Sequence, residues 1–277
     1  MGGMIDIEEK YIVVEGIRTR FVQAGSGEPL ILVHGIGGPL MWKRVVKPLS
    51  QYFQVVVVDL PGFGESGCPH EEYSTEKYTE FLDHFLTAIN LRKASFAGVS
   101  YGGQIVAGFS CEYPDRVLKL ILICSTGLLE SKKFFENDIS WIAISSFMKN
   151  TVLRSERLMC IFGRRSFYHI ENRPAELCSM FYRQLSQNGK REAWLNSLRN
   201  TFDGCTKLRE KLSSLNVPTL IIWGEHDQTV PVQFAHQFEQ LIPDSMVKIF
   251  PECAHSVPLE RPQEFCDAIV KFIQNSN

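Results

Sequence analysis

The sequence of 277 residues contains no apolar run approaching the length of a membrane span, so a bilayer-crossing segment is not expected. It also has no excess of charge: 29 Lys and Arg against 31 Asp and Glu leave a formal net charge of −2. That balance argues against the basic field a nucleic-acid partner would need. The eight cysteines (Cys68, Cys111, Cys124, Cys160, Cys178, Cys205, Cys253 and Cys266) show no C-x-x-C spacing, and several sit in apolar runs. Buried thiols in a reducing compartment are therefore expected, rather than disulfides or a metal centre. The first residues, with Asp6, Glu8 and Glu9, lack a basic n-region and an apolar h-region. No signal peptide is expected, and the expected location is cytoplasmic. The start Met1, Gly2, Gly3 lacks the downstream Ser or Thr of a myristoylation site. Internal repeats, low-complexity tracts and long linkers are missing too. What remains is an ordinary globular composition, 44% hydrophobic and 22% charged, long enough for one large core or one domain with an insertion.

Strand and helix patterns alternate along the first half. Residues 11–15 and 17–24 read as two strands joined at Gly16, the second alternating Ile17, Thr19 and Phe21 against Arg18 and Arg20. Residues 30–33 form an unbroken apolar run, as a strand covered on both faces should. A Gly-rich stretch follows, His34 to Gly38, and then residues 41–53 read as a helix. Residues 54–60 are a second buried strand, closed by Asp59, Leu60, Pro61, Gly62, Phe63, Gly64. Residues 74–91 carry helical spacing, with Tyr78, Phe81, Leu82, Phe85 and Ile89 on one stripe. Residues 94–99 and 117–124 are again strand-like and apolar. The alternation predicts a parallel sheet with helices on both faces.

The rhythm breaks at Gly127. From there to Asn200 the pattern is helical without a strand, and the segment carries 12 Lys and Arg against 7 Asp and Glu. It is expected to be a lid over the sheet edge where the ligand crevice of an open α/β sheet lies. Its basic residues read either as a solvated face or as recognition of an acidic substrate. The expected division is a core of residues 1–126 and 201–277 and a helical lid of residues 127–200. Strand and helix then resume, with strands at 219–223 and 246–250 and helices at 231–241 and 262–273.

At the centre stands Gly98, Val99, Ser100, Tyr101, Gly102, where an apolar strand meets a helix at a serine. Such a junction forces a strained backbone that only small residues two positions before and after can accommodate. The resulting elbow exposes the hydroxyl and aims a helix N-terminus at whatever the oxygen attacks. Asp227 and His255 follow two further core strands, so all three residues belong on one edge of a parallel sheet. Singly, the aspartate reads as a turn residue and the histidine as a surface residue. Together, in this order, they read as a nucleophile, a base and the carboxylate that orients the base.

The sequence resembles the α/β-hydrolase superfamily over nearly its whole length. The resemblance rests on His34 to Gly38, Asp59 to Gly64, the elbow Gly98 to Gly102, Trp223 to Asp227, and His255 followed by Pro258 and Glu260. It implies a mostly parallel eight-stranded sheet flanked by helices. It also implies a Ser100, Asp227, His255 triad, with an oxyanion hole from the backbone N–H groups of Tyr101 and of Ile36, or Gly37 in its place. His34 and Asp59 match positions that brace the active-site loops. The expected chemistry is hydrolysis of small carboxylic esters through an acyl-enzyme, with no cofactor and no metal. Hydrolysis of carbon–carbon bonds in ring-cleavage products is the alternative, although those hydrolases carry a tryptophan where this chain has Ser256. A serine at the elbow counts against dehalogenase and epoxide hydrolase chemistry. The resemblance also admits perhydrolases and a hormone-receptor-like binding protein, and the apolar pieces of the lid read either as pocket lining or as the contact of a membrane-surface lipase.

Overall fold

The computed structural model describes residues 6–69, 73–128, 138–202 and 205–274. The first residues, read above for targeting signals, and residues 129–137 of the expected lid fall outside that set. Eight strands form one sheet in the order β1-β2-β4-β3-β5-β6-β7-β8. In chain order these are β1 (Ile7–Val14), β2 (Ile17–Ala24), β3 (Pro29–Val33), β4 (Gln54–Val58), β5 (Ala94–Val99), β6 (Val117–Ile123), β7 (Thr219–Gly224) and β8 (Ser245–Phe250). The pairs β1·β2 and β2·β4 are antiparallel, and every later pair is parallel. The hydrophobic pattern and the layering agree. Leu30, Ile31, Leu32 and Val33 in β3 are fully buried, whereas the edge strand β8 alternates between half-buried and more exposed positions. A central strand covered on both faces gains about 1.5–3 kcal/mol from each such side chain, which an edge strand cannot match. The first strand begins at Ile7 rather than at residue 11, and Glu15 (φ 49°) leaves it for the turn with Gly16.

The helices are α1 (Val46–Leu49), α2 (Thr75–Ala88), α3 (Tyr101–Glu112), α4 (Asp138–Asn150), α5 (Glu156–Gly163), α6 (Leu177–Leu185), α7 (Lys190–Asn200), α8 (Cys205–Leu212), α9 (Gln233–Leu241), α10 (Val257–Glu260) and α11 (Pro262–Gln274). The helix expected over residues 41–53 is not continuous. A 3₁₀ turn at Pro39–Trp42 and the four-residue α1 replace it. Pro48 has no N–H and cannot sit inside a long helix; restarting at Val46 puts it in a first turn, where no donor is needed. In α2, Ser74 caps the first turn by accepting from the Lys77 N–H at 3.3 Å, and Tyr78, Phe81, Leu82 and Phe85 turn inward. Helices α4 to α7 lie between β6 and β7 in the chain, and the described residues there contain no strand.

The expectation that the cysteines are unpaired needs correction. Cys160 on α5 and Cys178 on α6 form a disulfide, with Cα atoms 5.6 Å apart. Eighteen residues separate them, and the folding of α5 against α6 brings them within bridging distance. Four of the other six, Cys124, Cys205, Cys253 and Cys266, are buried and outside any disulfide.

Candidate active site

Ser100 lies between β5 and α3 at φ 57° and ψ −121°, a conformation that costs a non-glycine residue about 1–3 kcal/mol. The surroundings leave it no alternative. Its N–H donates to the Ile123 carbonyl at 2.9 Å, and its own carbonyl accepts from Thr126 N–H at 3.1 Å. A Cβ on Gly98 would meet the Gly102 carbonyl oxygen at 2.4 Å, and one on Gly102 would meet the Val33 oxygen at 2.3 Å. A Cβ on Gly35 would come within 2.9 Å of the Ser100 Cβ. Both small residues of the elbow, and the glycine facing it, are thus dictated by backbone-to-backbone approach.

Asp227 and His255 are buried side by side past β7 and β8, with β6 intervening between the serine's strand and theirs. The two carboxylate oxygens of Asp227 have different partners. Oδ1 accepts from the N–H groups of Thr229 (2.7 Å) and Val230 (2.9 Å) and shapes the turn; Oδ2 accepts from His255 Nδ1 at 2.7 Å. An ionised carboxylate at Nδ1 fixes the proton there and leaves Nε2 with a lone pair. Ser100, His255 and Ile36 line one cavity of about 400 Å³. Asp227 stands behind the histidine, outside the cavity wall. The Ser100 hydroxyl makes no hydrogen bond among the described residues, an apo geometry that commonly tightens when substrate binds. Tyr101 opens α3 and directs its ring into the core, where the phenol donates to the Tyr73 carbonyl at 3.0 Å. The Gly-rich loop closes on itself through Gly38 N–H to the Gly35 carbonyl at 3.0 Å, and Ile36 and Gly37 both face the cavity.

The two bracing positions hold these loops in place. His34 Nε2 accepts from Leu60 N–H at 3.1 Å, so Nδ1 carries the proton and donates to the Gly35 carbonyl at 2.7 Å. Burial lowers the His34 pKa to about 4. The ring is neutral in the fold but binds a proton below about pH 6.5 in the unfolded chain, so protons favour unfolding in between. His34 therefore contributes stability above about pH 6.5, and this is lost as the pH falls toward 4, by up to about 3 kcal/mol. Denaturant titrations of wild type and His34→Gln should show their stability gap narrowing over that window; a constant gap would remove this role. Both Asp59 oxygens accept from Arg20 Nη1 (3.1 and 3.2 Å) and Oδ2 also accepts from Glu65 N–H at 2.9 Å, while burial pushes the carboxyl up from the usual range.

The contacts of several residues around the site were not legible beforehand, even where, as for Glu260 and Ser256, the residue itself had been singled out in the sequence. Glu260 spans two segments: Oε1 accepts from Ala254 N–H (2.9 Å) beside His255, and Oε2 from the N–H groups of Tyr168 (2.7 Å) and His169 (3.2 Å) in the helical segment. Ser256 N–H adds a 2.9 Å bond to the Ser166 carbonyl across the same join. Lys190, buried at the start of α7, donates to the carbonyls of Phe63 and Ser66 in the loop after Asp59. Cys124, read as the last residue of an apolar strand, brings its sulfur near Asp227 and His255, the three donor atoms lying within 4.8 Å of one another. Burial and the neighbouring Asp227 raise the Cys124 pKa well above its ordinary value, so it is a thiol, a poor metal ligand. The carboxylate oxygens are already occupied by Thr229, Val230 and His255. Arg165 and Arg173 reach the cavity wall from the helical segment.

A strained serine elbow at the C-terminal edge of a mostly parallel sheet, with a buried His–Asp pair beside it, defines a hydrolytic class of α/β enzyme. The chain belongs to the alpha/beta hydrolase fold family, which it matches over residues 28–262. It is 28% identical over 272 residues to the 2-hydroxy-6-oxo-6-(2'-aminophenyl)hexa-2,4-dienoic acid hydrolase of Metapseudomonas resinovorans, spanning 96% of this chain and 90% of that one. It is 29% identical over 269 residues to the pimeloyl-[acyl-carrier protein] methyl ester esterase of Wigglesworthia glossinidia brevipalpis, spanning 93% and 98%. The meta-cleavage product hydrolase of Pseudomonas fluorescens IP01 superimposes with a TM-score of 0.83 at 25% identity, covering 97% of this chain and 98% of that one. The chain is a hydrolase of this family. Among the described residues no helix is long and apolar enough to cross a membrane.

Proposed function

We propose that Ser100 is the nucleophile of a hydrolase that cleaves the carbon–carbon bond beside a ketone in an apolar, conjugated acid of the ring-cleavage type. Similarity to two hydrolases named for such substrates supports this reading. The observation that carries it lies in the cavity. Its wall is largely apolar, with Met41, Met148, Val152, Leu153 and Met159, yet Arg165 and Arg173 also reach it. Among the described residues neither arginine forms an ion pair, and Arg173 donates only to the Cys160 carbonyl at 3.1 Å. An apolar substrate with one carboxylate matches such a lining.

The chemistry follows from those parts. Ser100 Oγ attacks the ketone carbon while His255 Nε2 takes its proton, and Asp227 holds the ring and stabilises the imidazolium. The N–H groups of Tyr101 and Ile36 meet the oxyanion, each such donor contributing about 3 to 4 kcal/mol in the transition state. The proton of the substrate's 2-hydroxyl first moves to the carbon beside the ketone, giving the 2-oxo tautomer; on collapse the bond between that carbon and the former ketone carbon breaks and its electron pair passes into the unsaturated 2-oxo acid as a dienolate, whose charge the arginines stabilise. His255 returns its proton to the dienolate, and water, giving up a proton to His255, then hydrolyses the acyl-enzyme. Helices α4 to α7 serve as the lid of this cavity, each contributing side chains to its wall.

Ester hydrolysis by the same triad is the second reading, favoured by Ser256 after the histidine and by the esterase relative. A 2-hydroxy-6-oxo-hexa-2,4-dienoate and a neutral p-nitrophenyl ester separate the two. For the dienoate, Arg173→Gln should raise KM about 10- to 100-fold, the worth of a charge-assisted hydrogen bond, and leave the neutral ester nearly unaffected. Turnover of the ester alone would select the second reading.

A further inference from the structure

We infer that the outer face of α5, together with the end of α4 that packs against the same intervening turn at Val152–Arg154, docks on an anionic phospholipid surface. Half of the twelve large apolar side chains exposed among the described residues fall between residues 142 and 168: Ile142, Ile144, Phe147, Ile161, Phe162 and Tyr168. Ile161 and Phe162 are 51% and 54% exposed on α5, and Phe147 on α4 is 55% exposed. Met159 turns from α5 into the core, so the helix has a packed side and an outward side.

That outward side is amphipathic in the manner of an interfacial helix. Arg157, Ile161 and Arg164 follow one another at i, i+4 and i+7 and share one stripe. Arg157 and Arg164 are exposed, and among the described residues neither side chain makes an ion pair or hydrogen bond. Nearby Lys149, by contrast, is neutralised by Glu192 at 2.7 Å. Exposed apolar side chains edged by uncompensated guanidinium groups complement a surface of negative headgroups over hydrocarbon, where each basic residue adds about fivefold to partitioning. The location gives the contact a use. Met148 of α4 and Phe162 of α5 also line the cavity that holds Ser100, so the docked face adjoins the entrance for an apolar substrate.

Co-sedimentation with vesicles tests this without turnover, so its outcome is separate from the proposed reaction. The full chain is expected to bind vesicles of phosphatidylcholine mixed with phosphatidylglycerol, to bind pure phosphatidylcholine far less, and to be released by salt. Arg157→Gln with Arg164→Gln should weaken binding about thirtyfold. Phe147→Ser with Ile161→Ser should abolish it, and neither pair includes a cavity residue. Equal binding to both vesicle types, or full binding by either double variant, overturns the inference. So does self-association in sedimentation velocity that Ile161→Ser removes, which would assign the face to a second copy of the chain.

Discussion

Ser100→Ala is expected to lower kcat by about 10,000-fold or more with little change in KM, and to abolish labelling by an active-site phosphonate. The size follows from the role: without the nucleophile no acyl-enzyme forms, and the oxyanion donors alone retain only a small part of the acceleration. Substrate binding should survive, because the cavity wall is built mainly from other side chains. The residue is also placed to be changed cleanly. Alanine keeps the Cβ that Gly35 accommodates, and Ser100 is held by backbone bonds to Ile123 and Thr126 rather than by its hydroxyl. Steady-state kinetics and intact-mass analysis after phosphonate treatment check the result. A variant keeping more than about a hundredth of the wild-type rate would place the nucleophile elsewhere.

Gly102→Ala is expected to cost about 4 kcal/mol or more of stability, enough to prevent accumulation of folded protein in a chain of ordinary stability. The added carbon would sit 2.3 Å from the Val33 oxygen and 2.6 Å from the His34 oxygen. The Val33 carbonyl cannot retreat. Val33 is paired on both sides, with Val58 of β4 and Gly98 of β5, so relief would break the centre of the sheet. Gly163→Ala is the control. Its Cβ would meet nothing within 4 Å at the end of α5, and the change should be neutral or stabilise by about 0.4–1 kcal/mol. Urea titration of both variants reads the contrast directly, and a mild Gly102→Ala would show the elbow to be looser than its contacts imply.

Which elements could be foreseen depended on the range of the interactions that specify them. The central strands announce themselves because burial on both faces forces unbroken apolar runs, and the later structure keeps Leu30 to Val33 wholly out of water. The elbow was legible because its requirement is local: a strained serine needs glycine two residues away on either side. Residues 41–53 misled because their apolar spacing suits a helix, while a 3₁₀ turn that starts at Pro39 ends at Trp42 and Pro48 confines the next helix to Val46–Leu49. Cys160 and Cys178 misled because pairing depends on how α5 meets α6, which no spacing encodes.

By itself the amino-acid sequence determined the alternation of strands and helices, the strained corner at Ser100 and the candidate trio of serine, aspartate and histidine, all properties of neighbouring residues and of periodicity. Only the tertiary structure decided which oxygen of Asp227 receives His255, that Glu260 ties the histidine loop to the helical segment, and that arginines from that segment stand at an apolar cavity. Those are distances between groups remote in the chain, and they are fixed by packing the helices against the sheet edge rather than by any local preference of the backbone.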